Sequence, residues 1–316
     1  MALGLAALGR PGYINLGHAG DLHNQYDVVD MQANAEKVLD AAWSAGVRYF
    51  DTARSYGRGE EFLAHWLISR QIPASAVTIG SKWGYVYTAD WQVAAQHHEI
   101  KDHSIENLRR QAAESRRLLG DQLDLYQIHS ATLESGVLDN RDVLDELARL
   151  RDGGLRIGLS VSGPRQAETI HRALEIAIDG RCLFDSVQAT WNVLETSAGA
   201  VLQSAHEAGV GVIVKEALAN GRLTARNNDA AFAAKRAVLD AVSHELGTSL
   251  DAVALAAVLA QPWVDVVLSG AAIGEQLESN LAAPQIVWTT SCAERMKTLA
   301  EPAEQYWATR ARLAWN

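Results

Sequence analysis

Four side chains of acid–base type occupy comparable places in this sequence: Asp51, Tyr56, Lys82 and His129. Asp51, Lys82 and His129 each follow directly on a strand-like run (47–50, 77–81 and 123–128). Tyr56 lies just beyond Asp51, in Asp51-Thr52-Ala53-Arg54-Ser55-Tyr56-Gly57. A phenol with an ordinary pKa near 10 is a poor proton donor or acceptor at neutral pH. An ammonium beside it favours the phenolate and lowers that pKa, which is the role open to Lys82. Asp51 would pair with Lys82 and hold it charged, and His129 would donate a hydrogen bond to a substrate oxygen. Together they would protonate a carbonyl oxygen as hydride reaches its carbon, or run the reverse on an alcohol. Each residue alone has an ordinary explanation, Asp51 as a cap or turn residue and Lys82 and His129 as structural or solvated strand ends, and Tyr56 alone says almost nothing. Their shared placement singles them out.

For these residues to meet, their strands must lie side by side and run the same way. An apolar run at Tyr13, Ile14 and Leu16 opens an alternation of strand-like and helix-like segments. A helix is predicted over 31–45, with Val38, Leu39, Ala42 and Trp43 at helical spacing and Gly46 as its C-cap. Phe62, Leu63, Trp66 and Leu67 stripe a second helix over 60–69. Further strands are predicted at 155–159, 184–188, 210–214 and 264–268. Helices over 104–119, 143–150, 165–178, 197–208 and 274–281 separate them, with more helix before 260. A charged helical tail starts near 293. Regular alternation without a composition shift implies a parallel sheet. About eight units in 316 residues fit one closed (β/α)8 TIM barrel spanning 1–316 as a single domain with a C-terminal helical tail. In such a barrel the strand C-termini converge on one mouth. The stretch 84–101 breaks the rhythm and is predicted as a long loop at that mouth, bringing Tyr85, Tyr87 and Trp91. Its His97 and His98, with the nearby His103, are taken as surface residues, so no metal site is expected.

Composition narrows the function classes. A net charge of −10 opposes a general binder of nucleic acid or anionic membrane. No apolar run reaches the ~18 residues of a membrane span. The N-terminal residues lack a basic segment ahead of their apolar run, so no signal peptide is expected. The two cysteines, Cys182 and Cys292, lack the spacing of a metal site and suit free thiols in a reducing, cytoplasmic setting. No Gly-x-Gly-x-x-Gly joins the first strand to its helix, so a dinucleotide would have to be held in another way.

Asp51-Thr52-Ala53-x-x-Tyr56-Gly57-x-x-Glu60, Ser81-Lys82-Trp83-Gly84 and Leu123-Asp124-Leu125-Tyr126-Gln127-Ile128-His129 resemble, in this order, motifs of the aldo-keto reductase superfamily. The resemblance covers nearly the whole chain. It implies a catalytic tetrad of Tyr56, Lys82, Asp51 and His129, with Tyr56 as the acid–base. It also implies a cofactor site. Leu155-Arg156-Ile157-Gly158-Leu159-Ser160 is similar to the segment whose serine and following asparagine hold the nicotinamide amide; Ser160 matches, and Val161 replaces the asparagine. Gln188 matches the amide-binding glutamine, and Lys215 stands where an aromatic side chain often stacks on the nicotinamide. Leu218-Ala219-Asn220-Gly221-Arg222-Leu223 resembles the loop over the pyrophosphate, where small residues permit close approach and Arg222 would meet phosphate. Ser269 and Gly270 open the segment gripping the adenosine end, and Gln276 and Asn280 fit its later positions.

The implied activity is hydride transfer between NAD(H) or NADP(H) and a small-molecule aldehyde, ketone, sugar or alcohol. Relatives that bind the 2′-phosphorylated cofactor typically place a basic residue in the adenosine segment. Residues 269–280 contain no Lys or Arg, only Glu275 and Glu278, and acids oppose a phosphate. NAD(H) is therefore expected, against the family's usual NADP(H). The departures at Val161 and Lys215 leave a second class open: a non-catalytic or regulatory cofactor-binding protein on the same barrel.

Overall fold

In the computed structural model, which describes residues 1–316, eight parallel strands close into a barrel. They are β1 Ala2–Gly4, β2 Tyr49–Asp51, β3 Thr78–Trp83, β4 Leu123–Ala131, β5 Arg156–Val161, β6 Ser186–Thr190, β7 Gly211–Lys215 and β8 Val266–Ser269. Closure comes through β1, which pairs Ala2 with Leu268 of β8 and Leu3 with Phe50 of β2. This is the (β/α)8 barrel that the alternation implies. No single helix is long and apolar enough to cross a membrane.

The first strand departs from expectation. It is Ala2–Gly4, not the run at Tyr13, Ile14 and Leu16. Three residues are too few to show a period, and the strand is held by partners far along the chain. Residues 13–16 instead cross the mouth. The Leu16 amide donates to the Asn220 carbonyl (3.1 Å), and Tyr13 exchanges backbone hydrogen bonds with Asn316 (3.1 and 3.2 Å).

Strand side chains alternate between faces, and that period decides what fills the barrel. Ala2, Leu125, Ile213 and Leu268 form a small apolar cluster apart from the main core. One period further along their strands stand Gln127 and Lys215, level with Asp51, Lys82 and Gln188. Hydrogen bonds from Gln127 and Gln188 to the Asp51 carboxylate across the interior show that this polar layer points inward. Gly80 makes room for it: a Cβ there would lie 2.4 Å from the Tyr49 hydroxyl and 3.4 Å from Asp51 Oδ1. The apolar layer plugs the floor, and the polar layer faces the mouth.

Outside the barrel, helices such as Val28–Ser44, Gly59–Ser69, Ile105–Leu119 and Arg141–Asp152 bury the main core against the strands. Ser104 and Asn140 cap the last two by accepting from the amides of Asn107 and Val143. The segment 84–101 is not irregular throughout. Tyr85–Tyr87 and Glu99–Lys101 pair as an antiparallel hairpin whose long connection hid the period. The helix expected to reach 178 stops at Leu174. Asp179 (φ 54°) and Gly180 (φ 73°) then turn a small hairpin, as Asp-Gly does readily. A second apolar cluster, with Leu239, Val253, Met296, Tyr306 and Trp307, docks the tail helices Thr290–Lys297 and Ala303–Ala311 onto the helices Ala233–Leu246 and Leu250–Leu259. Both cysteines are free, Cys182 exposed and Cys292 buried.

Candidate active site

Asp51 ends β2 and Lys82 lies on β3, so their side chains meet inside the barrel as a short ion pair with both partners at most 2% exposed. The Lys82 ammonium also donates to the Thr52 carbonyl (2.9 Å). Asp51 Oδ1 accepts from Gln127 (3.1 Å), Gln188 (3.0 Å) and the Tyr49 hydroxyl (3.1 Å). Lys82 does not reach the wall of the cavity above, whereas Asp51, Tyr56, His129, Gln188 and Lys215 do.

Tyr56 follows β2 and packs edge-on against His129, with ring centroids 5.4 Å apart. Tyr85 covers the same imidazole at 5.1 Å. His129 Nδ1 lies 3.3 Å from Ser55 Oγ. Burial, then the charges of Lys82, Arg10 and Lys215, hold the imidazole pKa well below its usual value, so His129 is neutral. For Tyr56, burial and then the Asp51 charge push the pKa up, and Arg10 is the cation opposing them. The expected lowering by Lys82 is therefore not what the geometry gives. The Lys82 ammonium is 5.0 Å from the Tyr56 ring centre, but its charge is matched by Asp51.

Arg10 was not foreseen. Its guanidinium is 3% exposed and sits 5.1 Å from the Tyr56 ring centre and 4.8 Å from that of Trp315. It donates to the Ser55 carbonyl (3.0 Å) and to Glu99 Oε2 (2.8 Å). The C-terminal tail supplies a second unforeseen group. Arg310 chelates Glu216, with Nε 3.0 and 2.9 Å from the two carboxylate oxygens. Burial opposes ionisation of Glu216, but Arg310 and Lys215 hold it at a pKa of about 2. Arg10 had a readable signal, since Gly9-Arg10-Pro11 follows β1 as Tyr56 follows β2. Arg310 had none.

The mouth histidines are not all solvated. His98 is buried and stacks on Trp315 at 3.9 Å. His103 Nε2 is 3.0 Å from the His129 carbonyl, and the His103 ring packs on Trp83 at 5.6 Å. His97 is exposed. Of the three mouth aromatics, Tyr85 lines the cavity, while Trp91 packs on Phe62 instead.

Residues 16–301 match the sequence pattern of the Aldo/keto reductase family. The chain belongs to that family. It is similar to an aldo-keto reductase of Strobilurus tenacellus, at 26% identity over 96% of this chain and 88% of the relative. It is also similar to an NADH-specific methylglyoxal reductase of Escherichia coli, at 25% identity over 88% and 90% of the two chains. The solved holo form of an aldo-keto reductase from Bacillus halodurans shares the fold, with a TM-score of 0.72 over 97% of this chain and 94% of that one, at 20% identity. Aldo-keto reductases are oxidoreductases that act on small molecules with nicotinamide cofactors.

The cavity of this aldo-keto reductase suits such a cofactor. It encloses about 510 Å³ and runs from Asp51, Tyr56 and His129 past Gln188, Lys215, Leu218, Asn220 and Gly221 to Ser269, Gly270, Gln276 and Asn280. Asn220 Oδ1 and Asn280 Oδ1 are buried without a protein partner, so the wall keeps free acceptors for a polar ligand. Asn280 Nδ2 donates to Ser269 Oγ (2.8 Å) and Gln276 Oε1 accepts from the Ala272 amide (2.8 Å), which shapes that end. Gly221 (φ 89°) faces residues 15–16 closely: a Cβ would lie 3.0 Å from Leu16 Cβ. Backbone at Gly221 is thus bare toward the cavity and strained for any other residue.

Two expected cofactor contacts, Ser160 and Arg222, are absent from this wall. Ser160 Oγ accepts from the Ser130 amide (2.9 Å), and Ser160 does not line the cavity. Val161 is buried in the core. Arg222 turns away and is held by Glu301 (2.7 Å) against the rings of Tyr306 and Phe232, because the buried Glu301 carboxylate needs a counter-charge. Arg226 does line the adenosine-side wall and comes from outside the segment 269–280, but it is paired with Asp21 (2.6 Å).

Proposed function

We propose that this chain is an NAD(P)-dependent oxidoreductase interconverting an aldehyde, ketone or sugar with its alcohol, with Tyr56 as general acid–base. The observation that supports it is the convergence of Tyr56, His129 and the Asp51–Lys82 pair at one end of a single cavity. When bound, the nicotinamide supplies or accepts hydride at the substrate carbon. Tyr56 carries its proton at rest, because burial and Asp51 disfavour the phenolate. It is therefore poised to donate from its hydroxyl to a carbonyl oxygen. Arg10, 5.1 Å from its ring centre, attracts the phenolate that remains. With Ser55 Oγ–H donating to Nδ1, the neutral His129 ring carries its proton on Nε2 and offers it to the same oxygen. In alcohol oxidation a single proton runs the other way, from the alcohol hydroxyl to the Tyr56 phenolate, while His129 keeps its own and only donates a hydrogen bond. Gln188, Leu218, Asn220, Gly221, Ser269, Gly270, Gln276 and Asn280 would hold the cofactor.

We read the adenosine end as favouring NAD(H). Glu275 and Asp251 line it, and its one lining arginine, Arg226, already has a carboxylate partner. Repulsion of about 1 kcal/mol per unit-charge pair at 4 Å in a water-like dielectric, summed over a phosphate dianion, reaches the ~1.4 kcal/mol of a tenfold preference. The E. coli relative's name, NADH-specific methylglyoxal reductase, agrees in direction.

Tryptophan-fluorescence titration with NADH and NADPH, followed by turnover of wild type and Tyr56→Phe, tests this. NADH should bind at least tenfold tighter. The phenylalanine variant should lose roughly 10²–10⁴-fold in kcat with its cofactor affinity kept. Wild-type kcat in Tyr56→Phe would remove Tyr56 from the mechanism. Tight cofactor binding without turnover on a broad carbonyl and alcohol panel would favour the non-catalytic reading.

A further inference from the structure

The chamber around Tyr56 contains four cations and three anions. Arg10 is paired with Glu99, Lys82 with Asp51, and Arg310 with Glu216. His129 is neutral. The fourth cation, Lys215, has no carboxylate of its own. It ends β7, one period above Ile213 of the apolar floor, and lines the cavity. One N–H of its ammonium goes to Thr190 Oγ1 (2.8 Å). Its distance to Glu216 Oε1 is 4.0 Å, and that carboxylate is already chelated by Arg310 and accepts from the Thr190 hydroxyl (3.1 Å). Two of its three N–H donors thus have no protein acceptor, in a side chain only 16% exposed. On one side stands the Trp307 ring, 5.9 Å away, which offers no hydrogen-bond acceptor.

A part-buried ammonium whose nearest carboxylate is already chelated by another cation keeps free donors for a ligand. We propose that Lys215 anchors an anionic substituent of the substrate, so that the preferred carbonyl or alcohol carries a carboxylate near its reacting end. This rests on reading the cavity as the active site. One surplus positive charge matches a monoanion, and a guanidinium fork is not required to hold it. Contact with Lys215 would also fix which end of the molecule faces Tyr56 and His129.

The pairing has a pH signature. The groups facing Lys215 are Thr190 and the Arg310–Glu216 pair, the Lys82–Asp51 pair, neutral His129 and Trp307. Burial is the largest influence and, partly offset by Glu216, brings the ammonium down to a pKa of about 8. Below that pH Lys215 is charged and holds an anion. As pH rises through it, the free enzyme loses the charge and anion affinity falls.

The 2-, 3- and 4-carboxybenzaldehydes, each against its isosteric formylbenzamide, test this on the cofactor-loaded enzyme. At pH 7 at least one acid should exceed its amide at least tenfold in kcat/KM, with the difference carried by KM. The preference should fade between pH 7 and 9.5. Lys215→Met should abolish it at pH 7, and Lys215→Arg should retain it through pH 9.5. Equal handling of all acid–amide pairs, or a preference untouched in Lys215→Met, overturns the proposal. If no aldehyde of the series is turned over, benzoate against benzamide binding to the cofactor-loaded protein decides: equal or absent binding of the two overturns the anchor. Failure of NADH and NADPH themselves to bind would instead defeat the underlying reading of the cavity.

Discussion

Removing Lys82 should expose how strongly the barrel interior depends on charge balance. In Lys82→Met the Asp51 carboxylate, 2% exposed, loses its counter-ion, and the Thr52 carbonyl loses a donor that stood at 2.9 Å. The Gln127, Gln188 and Tyr49 bonds to Oδ1 remain and cannot replace a full positive charge. Breaking one side of a buried pair costs about 3–5 kcal/mol, a large fraction of the 5–15 kcal/mol that typically holds a domain together. Asp51→Asn should cost a similar amount by stranding the ammonium. The double variant buries no unmatched charge and should be no less stable than either single one, giving a coupling of about 3 kcal/mol or more. Urea unfolding at pH 7, followed through the nine tryptophans, measures all four proteins, with unchanged m-values licensing the comparison. Additivity within about 0.5 kcal/mol would refute the reasoning. It would mean that the pair is not energetically linked and that Lys82 is free to act on Tyr56 as a tuning charge.

Two further expectations follow from groups outside the tetrad. His18 is fully buried beneath Tyr13, and burial, with Asp21 opposing, lowers its pKa to about 4. The native state keeps it neutral while the unfolded chain protonates it near 6.5, so its contribution is full above that pH and lost as pH falls towards 4. His18→Gln should remove about 3 kcal/mol of acid sensitivity across this window, read from urea midpoints at pH 7.5 and 4.5. An unchanged pH slope would mean that the imidazole is not held neutral. Arg222→Ala should destabilise the fold by about 2–4 kcal/mol, since Glu301 then keeps only Lys235 as a counter-ion (2.6 Å). Its cofactor Kd should move less than twofold, and a tenfold weaker Kd would restore Arg222 to the phosphates.

The strands that place Lys82 and His129 were legible because each has a long local signal, and the three-residue strand ending at Asp51 was legible because a striped helix follows it directly. The run 77–81 shows its β-branched residues, and 60–69 shows its stripe of Phe62, Leu63, Trp66 and Leu67. Where the signal was short or its partner remote, legibility failed. β1 has three residues and is held by β8 and β2. The hairpin strands Tyr85–Tyr87 and Glu99–Lys101 pair across a connection longer than either of them. Arg10 lay outside the predicted site because its strand went unrecognised, and Arg222 was assigned to phosphate from loop position alone.

By itself the sequence determined the barrel and the family, because a two-residue period, a helical stripe and a motif such as Asp51-Thr52-Ala53-x-x-Tyr56-Gly57 are local properties of the chain. It also determined which strand ends carry acid–base residues. Only the tertiary structure decided what those residues feel. Charge and burial are set by neighbours drawn from every strand and from the tail: Arg10 from the first loop faces Tyr56, and Arg310 from the last helix neutralises Glu216. Lys215 is left as the unmatched cation only once all three pairs have closed around it. Coulomb and desolvation energies depend on distances through space, and spacing along the chain does not encode them.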